Sequence, residues 1–156
     1  MEFNIRFAKP EDVNGIMKLI QELALFENEP DAVDIDESYL LTHGFGKQKS
    51  FECFVAASKN QEILGMALFY NRFSTWKGLT IHLEDLIVKE KHRKKGIGKA
   101  LFERLISHAK AENINRLEWV VLDWNTNAIA FYESYGATVF KTWRTVQMEK
   151  EKIMAF

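Results

Sequence analysis

Apolar positions along the chain switch between two periods. Phe3-Asn4-Ile5-Arg6-Phe7 alternates, the pattern of a half-buried strand. Lys9-Pro10-Glu11-Asp12 opens a helix, with a proline and acids suited to a first turn. Val13, Ile16, Met17, Ile20, Leu23 and Ala24 then recur at helical spacing, a stripe that reads as core. A short helix runs from Asp36 to His43 and stops at Gly44. Phe51 to Ala57 and Ile63 to Tyr70 are strands of an antiparallel hairpin, joined by the polar stretch Ser58-Lys59-Asn60-Gln61. Residues 71–78 form a loop carrying Trp76, and Leu79 to Val88 is a long strand. Leu101, Leu105 and Ala109, with Phe102 and Ile106 beside them, mark a helix from about Gly96 to Ala111. A strand follows at Leu117 to Leu122, and Asp123-Trp124-Asn125-Thr126-Asn127 caps a helix through Tyr135, ended by Gly136. Thr138 to Phe140 and Arg144 to Lys150 read as two closing strands. The order β-α-α-β-β-β-α-β-α-β-β predicts an α/β layer fold of the α+β type, with a mixed, mostly antiparallel sheet flanked by helices.

Totals narrow the possibilities. A chain of 156 residues, 47% apolar and 28% charged, is expected to form one domain over 1–156. Its formal net charge of −1 argues against nucleic acid as a partner. The single cysteine, Cys53, lies in the apolar run Phe51-Glu52-Cys53-Phe54-Val55 and reads as inert core; it excludes an internal disulfide. His43, His82, His92 and His108 lack metal-ligand spacing, so no metal is expected. Without a membrane-length apolar run or a signal-like N-terminus, a cytoplasmic protein with no membrane partner is expected.

Chemistry concentrates in Glu84 to Ala100. A strand ends in a charged turn, and Gly96 and Gly98 then open a helix. Free amides at a helix start attract anions, and Lys89, Lys91, Arg93, Lys94, Lys95 and Lys99 surround this one. A diphosphate is the simplest ligand. The turn is neither a Walker loop, since no Gly-Lys-Ser/Thr is present, nor a dinucleotide fingerprint, whose third glycine would fall at Leu101. The alternative is a solvated charged turn. From Glu27 to Glu37 there are six acids and no lysine or arginine. This segment is either a solvated loop leading into an acidic helix start or an acidic lip that attracts a cation.

The pattern Arg93-x-x-Gly96-x-Gly98 resembles the acetyl-CoA pyrophosphate loop of the GNAT superfamily of N-acetyltransferases. A second motif of that family follows at Asn125-x5-Phe131-Tyr132-x3-Gly136-Ala137. Leu23-Ala24, Glu27, Gly44-Phe45-Gly46, Val55-Ala56, Trp76, Leu83-Glu84-Asp85 and Trp143-Arg144 extend the similarity, over essentially the whole chain, to the spermidine/spermine (diamine) and thialysine acetyltransferase branch. The resemblance implies the GNAT fold, acetyl-CoA as cosubstrate and a small cationic amine as acceptor. It implies that Leu86, Ile87 and Val88 bind the pantetheine arm and the acetyl carbonyl. Arg93, Lys94, Lys95, Gly96, Ile97, Gly98 and Lys99 would hold the pyrophosphate, and Asn125 would touch the cosubstrate near its thiol. Tyr132 would be the general acid and Glu84 the base, through water. Phe26, Glu27, Trp76, Glu84, Glu118, Trp119 and Val120 would border the amine. Residues 143–156 would be a C-terminal strand or arm exchanged in a homodimer. Two departures from the resemblance stand out: Glu133-Ser134-Tyr135 replaces basic residues, which argues against extra phosphate contacts there, and the short segment from Gly136 to Trp143 carries Lys141 instead of acids. The second weakens the case for a long polyamine and leaves room for a short diamine or a lysine-like amino acid.

The chemistry is consistent with these roles. An amine of pKa about 10.4 must lose its proton before it attacks, so a base is useful. Strand alternation puts Glu84 and Asp85 on opposite faces, unless a bulge intervenes. A tyrosine can donate to the departing thiolate, and strand amides near Leu86 can support the carbonyl oxygen. The alternatives are transfer to a protein or peptide amine, or a non-catalytic CoA-binding regulatory module.

Overall fold

The computed structural model describes residues 2–156. They form two compact units, one extending through Trp119 and the other Val120–Phe156. In the first unit, β1 (Phe3–Phe7), β2 (Glu52–Ser58), β3 (Ile63–Ser74), β4 (Gly78–Val88) and β5 (Arg116–Glu118) make one sheet in that order. Every pairing is antiparallel except β4 with β5, which is parallel. The expected mostly antiparallel sheet with helices is therefore the fold observed.

Two helices set the two faces of this sheet. α1 (Val13–Phe26) buries Val13, Ile16, Met17 and Leu19 against Cys53, Val55, Met66, Leu68 and Ile87. α3 (Ile97–Ala111) buries Leu101, Phe102, Leu105 and Ala109 on the other face. There His108 meets the rings of Phe54 and Phe69 at 5.6 and 5.3 Å, and Arg104 lies over Phe54. The period-2 alternation of β2 and β3 feeds the two layers in turn, which is why these strands read as nearly continuous apolar runs.

Several boundaries differ from those read in the sequence. Pro10–Asp12 form a 3-10 turn before α1, and buried Asp12 is held by Arg6 at 2.6 Å. α2 runs Glu37–Phe45, past Gly44. Gly44 is a packing position, because a Cβ there would lie 2.5 Å from the Phe51 ring. β3 continues to Ser74, paired with Gly78, so the expected 71–78 loop shrinks to a tight turn. β5 spans three residues instead of six.

In the second unit, α4 (Thr126–Glu133) forms as expected, and Lys150–Ile153 make a short α5. The two closing strands are absent among the described residues: 138–149 carry no strand. Alternation at Arg144, Val146, Met148 and Lys150 is only half of a strand, since the other half is a ladder partner, and this segment has none.

Candidate active site

The centre of the site is a fault in the β3–β4 ladder. Leu68 pairs with Asp85 and Phe69 pairs with Leu83, so Glu84 is an extra residue with no partner. A bulge of this kind shifts the alternation by one position. Before it, His82 lies on the α1 side, opposite Tyr70; after it, Ile87 lies on the same side, packed in the α1 core. Glu84 keeps the phase of His82, whose Nε2 is 3.7 Å from a Glu84 carboxylate oxygen. Asp85 keeps the phase of Ile87. Both acids therefore face α1: the bulge that strand alternation allowed as its exception is present, and Asp85 does not take the opposite face.

The electrostatics follow from this crowding. Burial, and then the charges of Glu84 and Glu27, push the Asp85 carboxyl up to about 7. Partial burial also lifts the Glu27 carboxyl. Glu27 caps the C-terminal end of α1, whose last turn holds no basic residue. The negative end of the helix dipole thus adds to three carboxyl groups. Tyr70 stacks on His82 at 5.2 Å, and its phenol is raised first by burial and then by the Glu84 charge. Such a corner favours a cation. Asp85 is a functional candidate that strand periodicity hides, although the adjacent acids Glu84-Asp85 were a signal for it.

Past His82, no strand among the described residues pairs with β4 on its β5 side, since that pairing covers Thr80, Ile81 and His82. Apart from the Val88 carbonyl, which accepts from Arg93, the backbone groups that face this edge between Leu83 and Val88 have no strand to pair with and suit a ligand that carries its own amides. Gly65, Met66 and Ala67 pair with Val88, Ile87 and Leu86 on the other side.

The glycine turn follows. Glu90–His92 form a 3-10 turn, and Gly96, at φ +80, caps α3 without any side-chain hydrogen bond. Only glycine adopts that angle at little cost, and the first amides of α3 are left without a side-chain acceptor. Arg93 donates from Nε to the Val88 carbonyl at 3.1 Å, and its guanidinium lies over Phe26. Lys95 donates to the Lys91 carbonyl, and Lys99 lies 3.9 Å from Glu103. The sequence reading missed Glu62, which holds Lys89 at 3.0 Å and Lys91 at 3.1 Å. These lysines bring its carboxyl down to about 2. It also missed Glu22, which accepts from the Glu90 amide at 2.7 Å.

The remaining candidates divide. Trp76 is exposed at the β3–β4 turn, roughly 20 Å along the strand from Glu84 at about 3.3 Å per residue. Glu118 is ion-paired with Arg72 at 2.5 Å and Arg116 at 2.8 Å. Trp119 packs its ring edge against Phe102 of α3. Val120, Asn125 and Tyr132 belong to the second unit. There Asn125 caps α4, accepting from the Ala128 amide at 3.2 Å. Tyr132 is buried, which pushes its phenol up to about 12. No group of three or more metal-ligating side chains occurs among the described residues. Cys53 is buried, and its thiol is pushed far up by that burial.

An integron cassette protein from the mobile metagenome of V. cholerae superposes with a TM-score of 0.79 at 23% identity, covering 99% of this chain and 97% of that one, a likeness of fold. The thialysine N-epsilon-acetyltransferase of Bos taurus is 36% identical over 157 residues, 94% of this chain and 92% of that protein. The human spermidine/spermine N(1)-acetyltransferase-like protein 1 is 31% identical over 161 residues, 97% of this chain and 23% of that protein. The model of the acetyltransferase (GNAT) family matches residues 16–137. With that match across the bulged strand, the glycine turn and the tyrosine helix, the chain belongs to the GNAT family and is an N-acetyltransferase.

Proposed function

We propose that this enzyme transfers acetyl from acetyl-CoA to the primary amine of a small cationic substrate: a diamine, a polyamine or a lysine-like amino acid. The observation that carries the reading is the bulge, which sets Glu84 and Asp85 together on the Glu27 side of a strand whose other edge is open. The uncapped amides after Gly96, with Arg93, Lys94 and Lys95, suit a pyrophosphate. The open edge from Leu86 to Val88 suits the amides of a pantetheine arm.

Glu27, Glu84 and Asp85 capture the ammonium form of the substrate. Losing its proton at pH 7 costs about 4 to 5 kcal/mol for an amine of pKa about 10.4. Glu84 takes that proton through water, and Asp85, poised near neutrality, shares it. Nitrogen then bonds to the acetyl carbon, and the carbon–sulfur bond breaks. The departing thiolate receives the phenolic proton of Tyr132, whose phenol is kept protonated by burial through the physiological range, and the second N–H proton of the attacking amine passes through water to restore that phenol. Exposed Trp143, Val146, Met148 and Met154 in the C-terminal segment support a homodimer that covers this arm.

The test is the initial rate of CoA release with putrescine, spermidine, lysine and thialysine, against a blank without amine. Turnover of at least one amine well above the blank is expected. Rates equal to the blank for all four, with acetyl-CoA still bound, would overturn the small-amine reading in favour of a protein amine or a non-catalytic module.

A further inference from the structure

Beyond Glu84, the same sheet face changes sign. Its next two rungs are Tyr70–His82–Glu118 and Arg72–Thr80–Arg116, set by the β3–β4 and β4–β5 registers. Glu118, expected to border the amine, is instead held by both arginines. Two guanidinium groups around one carboxylate leave a net positive charge. The Arg72 side chain is 55% exposed, open to a further acceptor. Three buried polar atoms on these rungs, His82 Nδ1, Arg116 Nε and Glu118 Oε1, have no hydrogen-bond partner, although Glu118 Oε1 is ion-paired with Arg72. A buried polar group without a partner is costly, and clusters of them mark places where a ligand completes the network.

We propose that Arg72 and Arg116 form a subsite for the α-carboxylate of an amino-acid acceptor, so that the site selects a zwitterion with a terminal amine over a diamine. This rests on the acetyl acceptor lying at Glu84.

Distances agree. Arg72 stands on the Thr80 rung, four residues or about 13 Å along β4 from Glu84, and meets Glu118 of the His82 rung that lies between them. Two strand residues separate that rung from Glu84, about 7 Å at 3.3 Å per residue. An extended lysine-length side chain separates its terminal nitrogen from its carboxyl carbon by about 7 Å on ordinary bond lengths. The amine then meets Glu27, Glu84 and Asp85 while the carboxylate meets Arg72. A planar guanidinium suits a carboxylate in a two-pronged contact. A diamine of similar length would bring its second ammonium against a guanidinium, so the same feature that attracts the acid rejects the diamine.

The test compares thialysine with its methyl ester, which keeps the amine and removes the negative charge. Binding by calorimetry to the acetyl-CoA complex and kcat/KM are both read, for the wild type and for Arg72→Gln. The wild type is expected to prefer the acid by about 10- to 100-fold, the range for hydrogen bonds to charged groups. Arg72→Gln should bring that ratio close to one, and Arg72→Lys should recover only part of it. Glu118→Gln, which releases both arginines, should increase the preference. Equal binding of acid and ester to the wild type, or a ratio unchanged by Arg72→Gln, overturns the subsite even in an active enzyme. Conversely, a clear preference for the acid in binding, with no turnover of any amine, would sink the proposed reaction and leave the subsite standing.

Discussion

The Arg93 guanidinium lies 5.2 Å from the centre of the Phe26 ring. One residue belongs to the glycine turn, and the other neighbours Glu27 at the acidic corner. With its Nε already on the Val88 carbonyl, Arg93 is oriented on two sides and keeps its outer nitrogens for a phosphate. A partly exposed contact of this kind is worth about 0.5–1 kcal/mol. Phe26→Leu should therefore weaken acetyl-CoA binding by about two- to fivefold in calorimetry. An unchanged affinity would mean that the ring does not orient the arginine.

Glu62 has the opposite influence. It neutralises Lys89 and Lys91, which would otherwise add to the field at the glycine turn. Glu62→Gln should tighten acetyl-CoA binding a few-fold at low salt, with the gain lost as ionic strength rises. Weaker binding in the variant would show that the carboxylate positions the lysines instead of restraining them.

Asp85 predicts two pH effects with a common cause. If its carboxylate shares the proton of the amine, kcat/KM should rise with pH through an inflection near 7, and Asp85→Asn should remove that inflection. Stability should run the other way. The folded state holds the proton more tightly than an unfolded aspartate of pKa about 3.9, so folded molecules bind more protons between about pH 4 and 7. Stability contributed by this group falls as pH rises through that window. Asp85→Asn should raise the melting temperature by a few degrees at pH 8 and by much less at pH 4.

Tyr132→Phe should lower kcat at least tenfold while acetyl-CoA binding is largely kept, since a general acid contributes about 10² to 10⁴ in rate. A phenol pushed up to about 12 also sets a limit: no alkaline fall in rate below pH 10 can come from Tyr132 ionising. Any such limb that survives in the variant has another origin.

Much of this architecture was legible in the sequence because it is local. The α1 stripe, the helix start near Asp36, the cap at Asn125, and the glycine turn after β4 each depend on residues within one or two turns of each other. What escaped depends on pairing between distant segments. The bulge at Glu84 is visible only against β3, because period-2 reasoning assumes an unbroken ladder. Arg72 and Arg116 are 44 positions apart in the chain and meet only through Glu118. Glu62, just before β3, meets Lys89, just after β4, only because those two strands pair. The expected strand at Arg144 to Lys150 failed for the same reason, since its alternation names no partner.

The unpaired flank of β4 from Leu83 to Val88 also has a consequence for handling the enzyme. The amides and carbonyls of this flank other than the Val88 carbonyl, which Arg93 holds, are a template for whatever extended chain arrives first. The pantetheine arm, lying along it, would serve as a surrogate strand. Purified protein stripped of CoA should therefore be the form that self-associates on standing, and adding CoA back should act as a molecular guard on that edge.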